Sequence, residues 1–141
     1  MIYIFVVYLL ILTCMDIRFR RLPAIWIWCG LLIMSVYGVV LIVLERRSFF
    51  DLLAALLPGF FLILFSKCTG QIGDGDGFII LLTGFFFTVK EEWTVVLVSF
   101  FLAAAGAICL VVCKRSSRNK RIPFVPFITM AVICVEFINF T

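Results

Sequence analysis

The chain has 141 residues, of which 65% are hydrophobic, 16% aromatic and only 14% charged, and its mean hydropathy is +1.28. Soluble domains carry about a quarter charged residues, so this composition excludes an ordinary soluble enzyme or binding module and indicates an integral membrane protein. The net charge of +4 needs no nucleic-acid partner, since basic residues in such a chain set orientation and meet anionic lipid heads; the lack of histidine excludes Ser-His and Cys-His catalysis and leaves only cysteines and acids for a zinc site.

In chain order, the apolar runs are Met1–Met15, Leu22–Leu44, Phe49–Ser66, Phe78–Val89, Trp93–Cys113 and Ile122–Phe140. The first has no basic region ahead of it, so it reads as a retained helix and not as a cleaved signal. Polar separators follow each of the first five: Asp16 to Arg21, Glu45 to Arg47, Lys67 to Gly77, Lys90 to Glu92 and Lys114 to Arg121. The expected fold is all-α, a single domain over residues 1–141 with six transmembrane helices in a compact bundle.

Lysine and arginine in short loops stay on the cytoplasmic side. With six spans, loops one, three and five share a side and hold Arg18, Arg20, Arg21, Lys67, Lys114, Arg115, Arg118, Lys120 and Arg121; only Arg46, Arg47 and Lys90 lie opposite. The expected arrangement is a multi-pass protein of the inner (cytoplasmic) membrane with both termini outside.

Two acids stand out against this background. At about 1.5 Å per residue, Met1–Met15 reaches roughly 22 Å and Phe78–Val89 roughly 18 Å, against a hydrocarbon core of about 30 Å. Helices that cross there must recruit the polar residues at their inner ends, which puts Asp16 and Asp76 at or just below the cytoplasmic hydrocarbon boundary. An acid at that depth is costly and calls for a function. Close carboxylates in a poorly solvated site share one proton. The ionised member can deprotonate a water that attacks a peptide carbonyl, while the protonated member polarises that carbonyl and helps the amine leave. No cofactor, metal or covalent nucleophile is needed. Gly70, Gly73, Gly75 and Gly77 surround Asp76 and suggest an irregular, glycine-rich loop that a peptide could approach closely.

These residues resemble a known family. Thr13-Cys14-Met15-Asp16-Ile17-Arg18-Phe19-Arg20-Arg21-Leu22-Pro23 is similar to the first aspartate motif of type IV prepilin peptidases, Gly73-Asp74-Gly75-Asp76 to their G-x-G-D motif, and Pro123-Phe124-Val125-Pro126-Phe127 to the Pro-Phe-Gly-Pro-Phe segment that opens their last helix. Order and spacing agree over nearly the whole chain. The resemblance implies an aspartic endopeptidase that removes a basic leader from a pilin-like precursor, commonly just after a Gly, at the cytoplasmic membrane face. It makes Asp16 and Asp76 the catalytic pair, with Asp74, Gly73, Gly75, Gly77, Arg18, Pro23, Pro123 and Pro126 as supporting or loop residues. The partner is a precursor with a basic leader and an apolar helix, within membrane lipid. The chain resembles the short peptidases of tight-adherence pilus systems; it has no Cys-x-x-Cys, and N-methylation of the product is not expected. Three positions depart from the family pattern: Ala24 stands where Asn is frequent, Phe78 where Lys is frequent, and Val125 where Gly is usual.

The blander readings are that Asp16 forms a juxtamembrane ion pair with its neighbouring arginines and that Asp74 and Asp76 open a cation-binding loop, although oxygen cages recruit further acids or amides. A different class of function is a small proton-coupled transporter or channel subunit in which the acids relay protons; another is an inactive scaffold for pilus assembly. The six cysteines read as packing residues, Glu136 and Asp51 as interfacial anchors, and Trp26, Trp28 and Trp93 as interfacial aromatics.

Overall fold

Apolar runs in lipid satisfy their backbone most simply by the internal hydrogen bonds of a helix. The computed structural model describes residues 2–19, 24–44, 46–69, 73–112 and 123–140, and their order is α1 (Ile2–Phe19), α2 (Ala24–Val43), α3 (Phe49–Thr69), α4 (Asp74–Phe86), α5 (Val89–Val112) and α6 (Val125–Phe140). Among the described residues every regular element is a helix. Helices α2, α3 and α5 are long and apolar enough to cross a membrane, whereas the apolar parts of α4 and α6 are shorter. Both acid-bearing helices extend past their apolar runs into polar sequence: α1 continues through Asp16 to Phe19, and α4 begins at Asp74.

Many large apolar side chains face outward, which is unusual for a soluble protein. Phe101 is 76% exposed, Phe137 73% and Phe61 66%, while Asp16, Ser66, Thr83, Glu92, Ser99 and Thr129 are buried. Large apolar side chains facing outward around a core that also holds polar groups suit an apolar surrounding solvent. The chain is a membrane protein by this criterion and by its three long apolar helices.

Contacts divide the chain into two compact units, Met1–Arg21 with Val95–Thr141, and Leu22–Thr94. In the first, α1 packs on α6. The buried residues Phe5, Leu9 and Leu12 recur at helical spacing, and Asp16 is the next position on that stripe. Val125, Ile128, Val132 and Val135 form the matching buried stripe of α6. Phe124 and Phe127 add contacts to α5: the Phe100 and Phe124 rings lie 5.3 Å apart, and a Cβ at Gly106 would come within 2.8 Å of the Phe127 ring.

In the second unit α4 packs on α3 and α2. Small residues let the α3 and α4 backbones touch, as membrane helices favour. A Cβ at Gly59 would lie 2.6 Å from the Leu81 backbone, one at Gly84 2.6 Å from the Ala55 carbonyl oxygen, and one at Gly77 2.7 Å from Ile63 Cγ1 and 3.0 Å from the Ile63 nitrogen. Against α2, Gly38 accommodates Phe85 and Tyr37 stacks on Phe86 at 5.7 Å. Gly59→Leu is expected to lower stability by at least about 1–3 kcal/mol, the usual cost of overpacking, because backbone atoms cannot rotate away; thermal unfolding in detergent micelles measures it, with exposed Phe60→Leu as the neutral comparison.

The expectation of an irregular glycine loop around Asp76 is corrected here. Gly75 and Gly77 are inside α4, and Gly77 is required by the close approach of Ile63 rather than by backbone freedom. Gly73 has φ −69° and ψ 131°, a conformation open to any residue. Gly70 lies outside the described residues.

Candidate functional site

The first unit places Asp16 at the mouth of α6. The first-turn N–H groups of a helix have no internal partners, and α6 accounts for each of its own. Val125 donates its backbone N–H to the Asp16 carboxylate. Pro126 has no N–H to satisfy. Phe127 and Ile128 donate to the Phe124 carbonyl at 3.0 and 3.3 Å. The Pro-Phe-Val-Pro-Phe segment is thus a helix start whose Val125 N–H is taken by an acid from α1. In the last turn of its own helix that acid faces an unfavourable dipole, and at the α6 N-terminus a favourable one. Asp16 is only 8% exposed, and its Oδ2 has no hydrogen-bond partner among the described residues. A buried carboxylate oxygen without a donor is costly unless it meets water, a proton or a ligand.

Behind Asp16 lies a second polar contact between the same helices. Thr13 Oγ1 is 2.7 Å from Thr129 Oγ1, and Thr129 Oγ1 donates to the Val125 carbonyl at 3.0 Å. Arg18 is exposed in the last turn of α1, where a cation suits the helix dipole, and its guanidinium lies 5.9 Å from the Phe19 ring centroid. A shallow apolar depression of about 330 Å³, lined by residues including Val7, Leu10, Cys14 and Arg18, runs along the face of α1 away from the Asp16 stripe.

The second unit holds Asp76 in the first turn of α4. The helix starts at Gly73, and the Asp76 backbone N–H donates to the Gly73 carbonyl at 3.1 Å. The carboxylate folds back toward this start: a Cβ at Gly73 would sit 3.5 Å from Asp76 Oδ2. The N-terminal end of a helix stabilises an ionised acid there. Asp76 is partly buried and Gly77, next in the chain, fully so. The side chain of Asp74 and the whole of Pro23 lie outside the described residues, as does the basic stretch from Lys114 to Arg121. Pro123 and Pro126, both partly buried, flank the α6 start.

The structure shows what stands at the three positions that depart from the resembled motifs. At Val125 it is the backbone N–H that is used, which any residue but proline supplies, and the side chain enters the core. Phe78 packs on Trp28, ring centroids 6.3 Å apart. Ala24 is the first residue of α2.

A further polar cluster in the second unit escaped the sequence reading. Arg47, counted there only as an orientation signal, clamps the end of α4. Its Nη1 donates to the Gly84 and Phe85 carbonyls at 3.3 and 3.1 Å, and its Nη2 to the Phe87 carbonyl at 2.6 Å. These carbonyls belong to the last turn, where intrahelical donors run out. Burial pulls the Arg47 pKa down, while Asp51, Glu92 and Glu91 pull it back up; an arginine so placed stays charged. Glu92 is fully buried, with Oε1 2.8 Å from Thr83 Oγ1. Next to it Thr88 and Glu91 start α5, the Glu91 carboxylate accepting from the Thr88 N–H at 2.9 Å and its hydroxyl at 2.8 Å. The Thr-x-x-Glu spacing is a capping-box signal readable in sequence; Arg47 and Glu92 have no such signal.

Among the described residues no group of three or more His, Cys, Asp or Glu is placed to hold a metal ion, and Cys14, Cys29, Cys68, Cys109 and Cys134 are free thiols. In comparisons with family models, characterised proteins and solved structures, nothing matches the chain.

Proposed function

We propose that the chain is an intramembrane aspartyl endopeptidase of the type IV prepilin peptidase kind, with Asp16 and Asp76 as the acid–base pair. It spans the cytoplasmic membrane six times with both termini outside and removes the basic leader of a pilin-like precursor at the cytoplasmic face. One carboxylate takes a proton from the attacking water; the other, protonated, polarises the scissile carbonyl and then protonates the departing amine. The observation that supports this reading best is Asp16 itself. It is a buried acid with one oxygen free of donors among the described residues, tied through Val125 to the Pro-Phe-Val-Pro-Phe segment, so two of the three resembling motifs meet in one unit.

Proton transport, the competing reading, requires a polar route across the membrane. On α4 the turn between Asp76 and Thr83 holds Ile79 and Ile80, both fully buried, which makes that helix a poor conduit. Purified protein in liposomes tests the two together. A synthetic precursor containing the leader and the first apolar helix should lose its leader, and an entrapped pH dye should report no added proton flux. Intact precursor with proton flux would favour transport instead.

Orientation is tested separately. In a background with all cysteines changed to alanine, Arg46→Cys should react with a membrane-impermeant maleimide from outside, and Lys67→Cys only after the membrane is opened. The reverse pattern would invert the topology.

A further inference from the structure

We infer that Thr13 and Thr129 are positioning residues that hold Asp16 in its working orientation, an inference that rests on the protease reading above. Thr129 gives its one hydroxyl proton to the Val125 carbonyl, so in the 2.7 Å contact between the two threonines Thr13 is the donor. The direction of the chain is therefore settled: the Thr13 hydroxyl donates to Thr129, the Thr129 hydroxyl to the Val125 carbonyl, and the Val125 N–H to the Asp16 carboxylate. Thr13 and Asp16 are three residues apart on α1, neighbours on adjacent turns of one helix. The chain of donors closes into a ring that begins and ends on α1 and passes through the first turn of α6.

The ring acts on Asp16 through position. It fixes the height of Val125 against α1, and with it the one donor that orients the carboxylate. Thr129 is 2% exposed and Asp16 8%, so water does not readily replace either link. With one oxygen held by Val125, Asp16 Oδ2 is left as the oxygen available to a water or a proton. Neither threonine touches the reacting atoms in this scheme; each acts through Val125.

The test is a pair of isosteric exchanges. Thr13→Val and Thr129→Val keep shape and lose the hydroxyl, while Thr13→Ser and Thr129→Ser keep the hydroxyl and lose a methyl. Each Val variant is expected to lower kcat for precursor cleavage roughly 10- to 100-fold, the effect of a small misplacement at a reacting group, with KM within about twofold of native. The Ser variants should keep native kcat. Either exchange opens the same ring, so the double Val variant should be no slower than the slower single one, and one folded Val variant suffices. Amide exchange at Val125, which needs no activity, should quicken in both Val variants and stay native in the Ser variants. A native chain that cleaves while its Val variants keep native kcat overturns the positioning role alone. Ser variants as slow as Val variants overturn it too, since packing would then explain the loss. A native chain that cleaves nothing overturns the protease reading and the positioning role with it.

Discussion

Asn in place of Asp16 or of Asp76 is expected to slow leader removal by about 10²- to 10⁴-fold, the range contributed by a positioned acid or base. The substitution is chosen for its shape. An Asn at position 16 still offers an oxygen to the Val125 N–H that Asp16 now accepts, so α6 keeps its start and only the titrating proton is lost. Asp16→Ala adds a second fault, because Val125 would be left without an acceptor at a buried helix end, and about 1–3 kcal/mol of stability should go with it. Comparing the two separates chemistry from folding. Asp16→Asn/Asp76→Asn should be no slower than the worse single variant, since groups acting on one proton fail together. Asp74→Asn, at the unspecified position of the resembled G-x-G-D motif, should retain most of the rate. A carboxyl pair that shares a proton also predicts a bell-shaped dependence of kcat/KM on pH, whose two limbs belong to the pair. Either Asn variant should lose that shape in its residual activity.

Arg47→Met is expected to lower stability by on the order of 3 kcal/mol, from the loss of hydrogen bonds by a charged donor and of a cation whose charge reaches a buried acid. Three carbonyls, those of Gly84, Phe85 and Phe87, share this one guanidinium, and Glu92 is fully buried close enough to feel its charge. Arg47→Lys should rescue little, because one ammonium cannot match the fork that spans them. Arg46→Met is the control: Arg46 is exposed, and the change should stay within about 0.5 kcal/mol. Adding Glu92→Gln to Arg47→Met should recover part of the loss, as expected for two groups that interact. Thermal unfolding in detergent micelles reads all four. Equal losses from Arg46→Met and Arg47→Met would remove the clamp from the account.

The contrast between these two arginines shows what a sequence can reveal here. Both count equally toward orientation, because that rule reads charge and loop position only. Which one turns inward depends on where the end of α4 arrives, nearly 40 residues later in the chain, and no local pattern reports it. That Asp16 and Asp76 lie within helices was legible for the opposite reason. An acid beside an apolar run too short to cross must be drawn into the helix, and both lie within helices that extend beyond their apolar runs. The partner of Asp16, a backbone N–H on α6, was not legible, since main-chain donors leave no trace in side-chain identity. The glycines misled for a physical reason. Glycine serves loose backbone and tight helix contact alike, and at Gly77 the second use holds. Ala55-x-x-x-Gly59 on α3 was the readable sign of that contact, as small residues spaced by four mark a close helix face.

The most direct test of the central claim is the mass of a pilin-like precursor recovered from membranes that contain either the native chain or its Asp76→Asn variant. The native chain is expected to yield a product shortened by its basic leader, with a new N-terminus just before the apolar helix, and the variant to leave the precursor whole. A precursor of full mass beside the native chain, or the same shortened product beside both, would contradict that claim.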